Sequence, residues 1–182
     1  MSDKMNIKQK FKIIQSSPIH TGSTLLLNLI HGYLSPDEEI HYNTERLIDK
    51  FLITKTHNTN VKYWIDKYPQ YKLFFIMSER NDSKVKRMIN SEYRQYPNVL
   101  IINYDKFVVS DNNSQENVIN YIFNKLNDFL PKELKPNKDD NLIKIDIEKR
   151  FNIVNETVRQ MKHKNFNEYD KFTHIHGSHR NR

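Results

Sequence analysis

Short apolar blocks recur along the chain, and each is nearly continuous. They cover residues 11–14, 51–53, 73–77 and 99–102. A continuous apolar block is typical of a strand that is buried on both faces of a parallel sheet, whereas a half-exposed strand alternates apolar and polar residues. The pattern therefore predicts buried, parallel strands at these positions.

Stretches of helical periodicity lie between and after these blocks. They cover residues 23–33, 59–68, 82–93 and 114–130. Residues 142–147 alternate like a further strand, and residues 147–161 return to helical spacing. Strands that alternate with helices predict a three-layer α/β fold, in which helices flank a central parallel sheet of about four to five strands.

Composition limits the kind of protein that this chain can be. Its 182 residues suit a single domain, with a polar N-terminal extension over residues 1–10 and a polar, aromatic tail over residues 165–182. The absence of cysteine excludes disulfides, thiolate metal sites and thiol nucleophiles. No apolar run approaches the roughly 18 residues of a membrane span. We therefore expect a soluble, cytoplasmic protein with no membrane partner.

The balance of charges indicates an anionic ligand. Lysine and arginine outnumber aspartate and glutamate, which gives a formal net charge of +7. Such a charge favours nucleic acid, an anionic surface or a highly charged small ligand. The basic residues are dispersed and form no nucleic-acid-binding motif, so we expect a small ligand and no nucleic acid. The sequence leaves the oligomeric state open.

A Ser/Gly/Thr turn lies between the first predicted strand and the first predicted helix. Small residues before a helix N-terminus can bind phosphate, because the first amides lack partners and carry a partial positive charge. The kinase and ATPase loop reads G-x-x-x-x-G-K-[ST]. Here Gly22 is followed by Ser23 and Thr24, and Ser17 takes the place of the first glycine. The missing lysine argues against nucleoside triphosphate chemistry.

Further candidate residues follow the next two predicted strands, where parallel α/β sheets bind their ligands. Lys55 and His57 are two apart in an extended segment and therefore face the same side. An imidazole can accept a proton near neutral pH. Arg80 and Asn81 follow the third strand, and the planar fork of an arginine suits a phosphate group.

In this order, the motifs resemble those of the soluble sulfotransferases that use 3'-phosphoadenosine 5'-phosphosulfate (PAPS). SSPIHTGSTLL resembles the 5'-phosphosulfate loop P-[KR]-[ST]-G-[ST]-T, and Lys55-Thr56-His57 resembles the K-T-H segment. Arg80-Asn81 matches the start of the 3'-phosphate segment R-N-P-x-D-x-x-x-S, although the proline is absent. Asn103-Tyr104-Asp105 resembles the turn Y-E-D-L.

The resemblance implies a P-loop-like fold and a sulfotransferase in which His57 is the base and Lys55 contacts the transferring sulfuryl group. His20 stands where the family has a lysine or arginine. The implied donor-binding residues are Thr21, Gly22, Ser23, Thr24, Arg80, Ser91, Tyr104, His176, Gly177, Ser178 and Arg180. The last four would correspond to the C-terminal R-K-G-x-x-G loop. Adenosine 3',5'-bisphosphate (PAP) would be the product, a small-molecule or glycan hydroxyl or amine the acceptor, and no metal would be required.

Alternative interpretations stay open. One is a P-loop kinase or other phosphotransferase, and another is a non-catalytic protein that binds nucleotide or nucleic acid. The tail also contains His174, His176 and His179. Three histidines at this spacing could bind zinc or nickel, and a disordered basic tail is an equally simple interpretation.

Overall fold

The computed structural model describes residues 10–34, 40–42, 46–81, 86–161 and 173–175. The strands are β1 (Phe11–Ser16), β2 (Ile40–Tyr42), β3 (Ile53–Thr56), β4 (Lys72–Asn81), β5 (Lys86–Arg87) and β6 (Val99–Asn103). The helices are α1 (Ser23–Leu34), α2 (Val61–Lys67), α3 (Gln115–Phe129) and α4 (Asp140–Met161). Short 3-10 segments cover Ser91–Gln95, Tyr104–Lys106 and Lys132–Leu134.

Parallel pairing dominates the sheet. The order is β2-β3-β1-β4-β6, and each neighbouring pair among these strands is parallel. β5 is the exception, because it pairs antiparallel with the end of β4. The fold is therefore mixed α/β with a mostly parallel sheet, as the alternation of strands and helices predicts. The carboxyl ends of the parallel strands meet at one edge, where this kind of sheet binds ligands.

The sheet is buried on both faces. Ile13 of β1 belongs to an apolar cluster that also contains residues of α1, α3 and α4. Its neighbour Ile14 belongs to a second cluster, with Val61 and Trp64 of α2. Successive side chains of a strand point to opposite faces, so the two clusters lie on opposite sides of the sheet.

A buried lysine joins β1 to the segment before β3. The Nζ atom of Lys12 donates to the carbonyl oxygens of Ile48, Asp49 and Phe51 at 3.0, 2.9 and 2.8 Å. It also lies 5.1 Å from the ring centroid of Tyr71. An ammonium group has three protons to donate, so these carbonyls satisfy it. Lys12 thereby holds the segment before β3 against the sheet.

Side chains cap two of the predicted helices. The Oδ1 atom of Asn60 accepts from the Tyr63 amide at 3.0 Å and starts α2. The Oγ atom of Ser114 accepts from the Asn117 amide at 3.2 Å and starts α3. Each bond satisfies an amide that has no partner within the helix. No helix in the described part of the chain is long and apolar enough to cross a membrane.

The prediction of a helix over residues 82–93 is wrong. The described part of this stretch forms β5 and then the beginning of the 3-10 segment Ser91–Gln95. The buried carboxylate of Glu79 accepts a hydrogen bond from the Ile89 amide at 3.4 Å and forms an ion pair with Arg94. These long-range contacts hold the chain against the end of β4 and override its local helical pattern.

The prediction of a strand over residues 142–147 is also wrong, because these residues belong to α4. The helix predicted over residues 147–161 is confirmed. The buried side chains of α4 include Ile143, Ile147, Phe151 and Val154. That spacing is helical, whereas Leu142 and Ile145 are exposed. Apolar residues on the solvent side of the helix therefore produced the apparent alternation.

Gly32 lies where α1 crosses α4. An ideal Cβ atom at Gly32 would lie 2.8 Å from the Cα atom of Ile147 and 2.9 Å from the carbonyl oxygen of Asp146. Backbone atoms cannot rotate away, so the helices would have to separate. We expect Gly32→Ala to lower the free energy of unfolding by about 1–3 kcal/mol, as overpacked cores do. Urea denaturation would measure the change.

Asn124→Ala is the matched control for this prediction. Asn124 is exposed on α3, and exposed substitutions change the free energy of unfolding by about 0.5 kcal/mol or less. Equal unfolding midpoints for Gly32→Ala and Asn124→Ala would contradict a tight contact between α1 and α4.

Candidate functional site

The loop between β1 and α1 turns at the carboxyl edge of the sheet. The φ angles of His20 and Gly22 are 73° and 72°, in the left-handed region that favours glycine. An ideal Cβ atom at Gly22 would also lie 2.7 Å from the Tyr104 ring and 2.9 Å from the Phe107 ring. The backbone conformation and the close rings therefore both favour glycine at position 22.

The first turn of α1 begins directly after this glycine. Ser23 and Thr24 occupy the turn, and both side chains are buried. The first intrahelical bond runs from the Leu26 amide to the Gly22 carbonyl oxygen at 3.0 Å. The first amides of a helix lie before this ladder of hydrogen bonds begins, and the helix N-terminus carries a partial positive charge. This arrangement suits a phosphate group.

A buried network of hydroxyl groups ties the loop to β1 and β4. The Oγ atom of Ser17 accepts from the Ser78 amide at 2.8 Å and from Nε2 of Gln15 at 2.7 Å. The Ser78 hydroxyl lies 3.0 Å from the Ser17 oxygen and 2.9 Å from the Thr21 oxygen. The Thr21 hydroxyl donates to the Pro18 carbonyl at 2.8 Å. The hydroxyl of Thr21 is therefore used within the loop.

Lys55 lies at the end of β3, beside the first turn of α1. Its Nζ atom donates to Oγ1 of Thr24 at 2.7 Å. The side chain is 2% exposed, and desolvation lowers the pKa of Lys55 from 10.5 to about 7. An anion beside the ammonium group favours the charged form. The charge of Lys55 is therefore sensitive to whether an anion is bound.

His57 is exposed, yet it is oriented by the loop. Its Nδ1 atom lies 2.8 Å from the carbonyl oxygen of Ser17. A carbonyl oxygen can only accept, so Nδ1 carries the proton of this hydrogen bond. In the neutral imidazole, Nε2 then carries a lone pair and can accept a proton. The structure thus brings both Lys55 and His57 to the loop, as their spacing predicts.

Arg80 reaches the loop through an aromatic ring. Its guanidinium carbon lies 4.6 Å from the centroid of the Tyr104 ring, which is a cation–π distance. The same ring lies against Gly22. Tyr104 therefore bridges Arg80 and the loop between β1 and α1. Arg80 and Asn81 do not follow the third predicted strand, because they are the last two residues of β4.

The remaining predicted site residues have different outcomes. Ser91 is exposed at the start of its 3-10 segment, and no hydrogen bond within the described ranges joins it to the loop. His20 is exposed in the loop. His176, Gly177, Ser178 and Arg180 lie outside the described residues. The described ranges contain no group of three or more His, Cys, Asp or Glu that could hold a metal ion.

The described part of the tail lies against α1. The Nδ2 atom of Asn28 donates to the carbonyl oxygens of Thr24 and Thr173, each at 2.8 Å. Ile175 is 2% exposed and packs with Val154. The chain therefore returns to within one helical turn of Thr24 just before the predicted tail residues. Sequence reasoning missed Asn28, although a single polar residue in an apolar helix is a usable signal.

Comparisons of the chain with protein-family models, with curated proteins and with solved structures find no match. The case for a function therefore depends on the geometry of the site.

Proposed function

We propose that the protein is a PAPS-dependent sulfotransferase. The observation that supports this most is the hydrogen bond of 2.7 Å from Nζ of Lys55 to Oγ1 of Thr24. It joins the K-T-H segment to the phosphate-binding loop, as a shared sulfuryl-binding site would need. The contact of His57 with the Ser17 carbonyl adds a proton acceptor at the same loop.

The arrangement of the sheet supports the P-loop-like fold that this function would use. The parallel order β2-β3-β1-β4-β6 places β1, which precedes the loop, between β3 and β4. Lys55 and His57 lie on or just after β3, and Arg80 lies near the end of β4. Apolar clusters on both faces of the sheet suit a three-layer arrangement. The loop is thus flanked by both proposed partner segments.

In the proposed complex, PAPS lies across the carboxyl edge of the sheet. The amides of the first turn of α1 and the hydroxyls of Ser23 and Thr24 bind the 5'-phosphosulfate. Arg80 binds the 3'-phosphate through its planar fork. Tyr104 lies beside the adenosine, between the 5'-phosphosulfate and the 3'-phosphate. The acceptor is a small molecule or a glycan, and the reaction takes place in the cytoplasm.

The proposed reaction is an in-line transfer of the sulfuryl group. Nε2 of His57 takes the proton from an acceptor hydroxyl or amine as that group attacks sulfur. A bond forms between acceptor and sulfur, and the bond from sulfur to the bridging oxygen breaks. The electron pair remains on the 5'-phosphate of PAP. The ammonium of Lys55 and the imidazolium of His20 offset the charge that develops there.

Isothermal titration calorimetry with two nucleotides tests this proposal. We expect PAP to bind with micromolar affinity in the absence of metal, because the loop and Arg80 would each engage one of its phosphates. ATP with magnesium should bind at least tenfold more weakly. Preference for magnesium-ATP would instead favour the phosphotransferase alternative. Binding of nucleic acid but neither nucleotide would favour a non-catalytic binding protein.

A further inference from the structure

The short hairpin of β4 and β5 places two arginines side by side. Arg80 and Arg87 are directly opposite each other in the antiparallel ladder. Residues at such positions have their side chains on the same face, with Cβ atoms about 4.5–5.5 Å apart. Like charges at directly opposite positions repel each other. A bound anion on this face would be attracted to both arginines.

The face that carries both arginines is next to the phosphate-binding loop. Arg80 stacks on the Tyr104 ring, which lies against Gly22. Arg87 shares this face through its register with Arg80 and is exposed to solvent. The neighbouring carboxylate of Glu79 is buried and paired with Arg94. Glu79 therefore has a cation of its own on the other face of the strand.

We propose that Arg80 and Arg87 together form a two-arginine site for a phosphomonoester group. Such a group carries a charge of about −1.5 to −2 at neutral pH, and two guanidinium forks can neutralise it and donate in parallel. This inference rests on the proposed function, in which the group is the 3'-phosphate of PAPS. Arg87 then selects nucleotides that carry a 3'-phosphate against those that lack one.

The hairpin is what creates this site. In a helix, the seven steps from Arg80 to Arg87 would have spanned about 10 Å along the axis. The antiparallel ladder instead sets them opposite each other. The resemblance to sulfotransferases gives no role to Arg87, because position 87 falls on an unspecified position of the segment R-N-P-x-D-x-x-x-S. The second arginine is therefore visible only in the structure.

Calorimetric titrations of PAP and of adenosine 5'-monophosphate test this inference. We expect Arg87→Gln to weaken PAP binding at least tenfold and to leave 5'-monophosphate binding within twofold. Lys86→Gln is the matched control. This substitution removes the same charge from a side chain that is also exposed. Lys86, however, lies on the opposite face of β5 from Arg87. It should change neither affinity more than twofold at physiological salt.

Other outcomes would overturn the two-arginine site. Equal losses of PAP affinity in Arg87→Gln and Lys86→Gln would indicate a general electrostatic effect. PAP binding that is insensitive to Arg87→Gln would contradict the inference and leave the proposed function standing. Failure of the wild-type chain to bind PAP would contradict both. Urea denaturation of each variant checks folding, and loss of the exposed Arg87 should not lower the unfolding midpoint.

Discussion

Replacing His57 with Asn is expected to lower kcat for sulfuryl transfer by about 10²–10⁴-fold, the usual contribution of a general base. Affinity for PAP should stay within twofold. An asparagine amide can still donate to the Ser17 carbonyl, as Nδ1 of His57 does at 2.8 Å, but it has no basic nitrogen. The formation of PAP from PAPS, with phenol, alcohol and amine acceptors, would measure the rate.

His57→Ala is the companion variant, because it removes both the basic nitrogen and the hydrogen bond to the loop. If His57 is the base, the alanine and asparagine variants should lose similar amounts of kcat. If His57 only orients the loop, the asparagine variant should keep most of its activity. Transfer within tenfold of the wild-type rate in His57→Asn would show that the base lies elsewhere.

Raising the pH from 7 to 9 is expected to weaken PAP binding by up to tenfold per pH unit. Desolvation lowers the pKa of Lys55 to about 7, so the ligand-free protein loses this positive charge over that range. A bound anion favours the protonated form, and binding must then take up a proton. The phosphates do not contribute, because their second pKa is about 6. Calorimetry at several pH values would measure the slope.

Lys55→Met should bind PAP weakly and with little dependence on pH over the same range. Lys62→Met is the matched control, since Lys62 is an exposed lysine on α2. It should keep the wild-type slope. Constant wild-type affinity between pH 7 and pH 9 would mean that Lys55 does not contact the bound anion.

The lowered pKa of Lys55 also predicts that the ligand-free protein becomes more stable as the pH rises. Its pKa is 10.5 without burial and about 7 in the fold, so between these values the unfolded chain holds one more proton. The free energy of unfolding should therefore rise with pH by about 1.4 kcal/mol per unit at most. Burial raises the pKa of Tyr33 to about 12, which reverses the trend above about pH 10.

The sequence was sufficient to predict four of the strands, β1, β3, β4 and β6. β1, β4 and β6 coincide with continuous apolar blocks, and β3 begins at the end of one. β1 and β4 lie inside the sheet, with apolar clusters on both of its faces, and such burial requires apolar residues at successive positions. The short β2 (Ile40–Tyr42) was not predicted. Three residues are too few to show a period.

The candidate site was predicted less completely, for a physical reason. Lys55 and His57 could be placed because a strand fixes which side its residues face. The buried partner Ser78 could not, since it lies on β4 and meets Ser17 only after the sheet has formed. Arg87 depends on the register of the hairpin. Contacts between distant segments leave no periodic signal.

The ring of Tyr104 between Gly22 and Arg80 also has a consequence for ligand size. An aromatic side chain has few rotatable bonds, so it works as a spacer of nearly constant length between the loop and the guanidinium group. The two positive regions are therefore kept at a set separation. If the protein binds PAPS as proposed, we expect affinity to depend on the distance between the ligand's anionic groups. A ligand whose charges are too close together would contact only one of the two regions at a time.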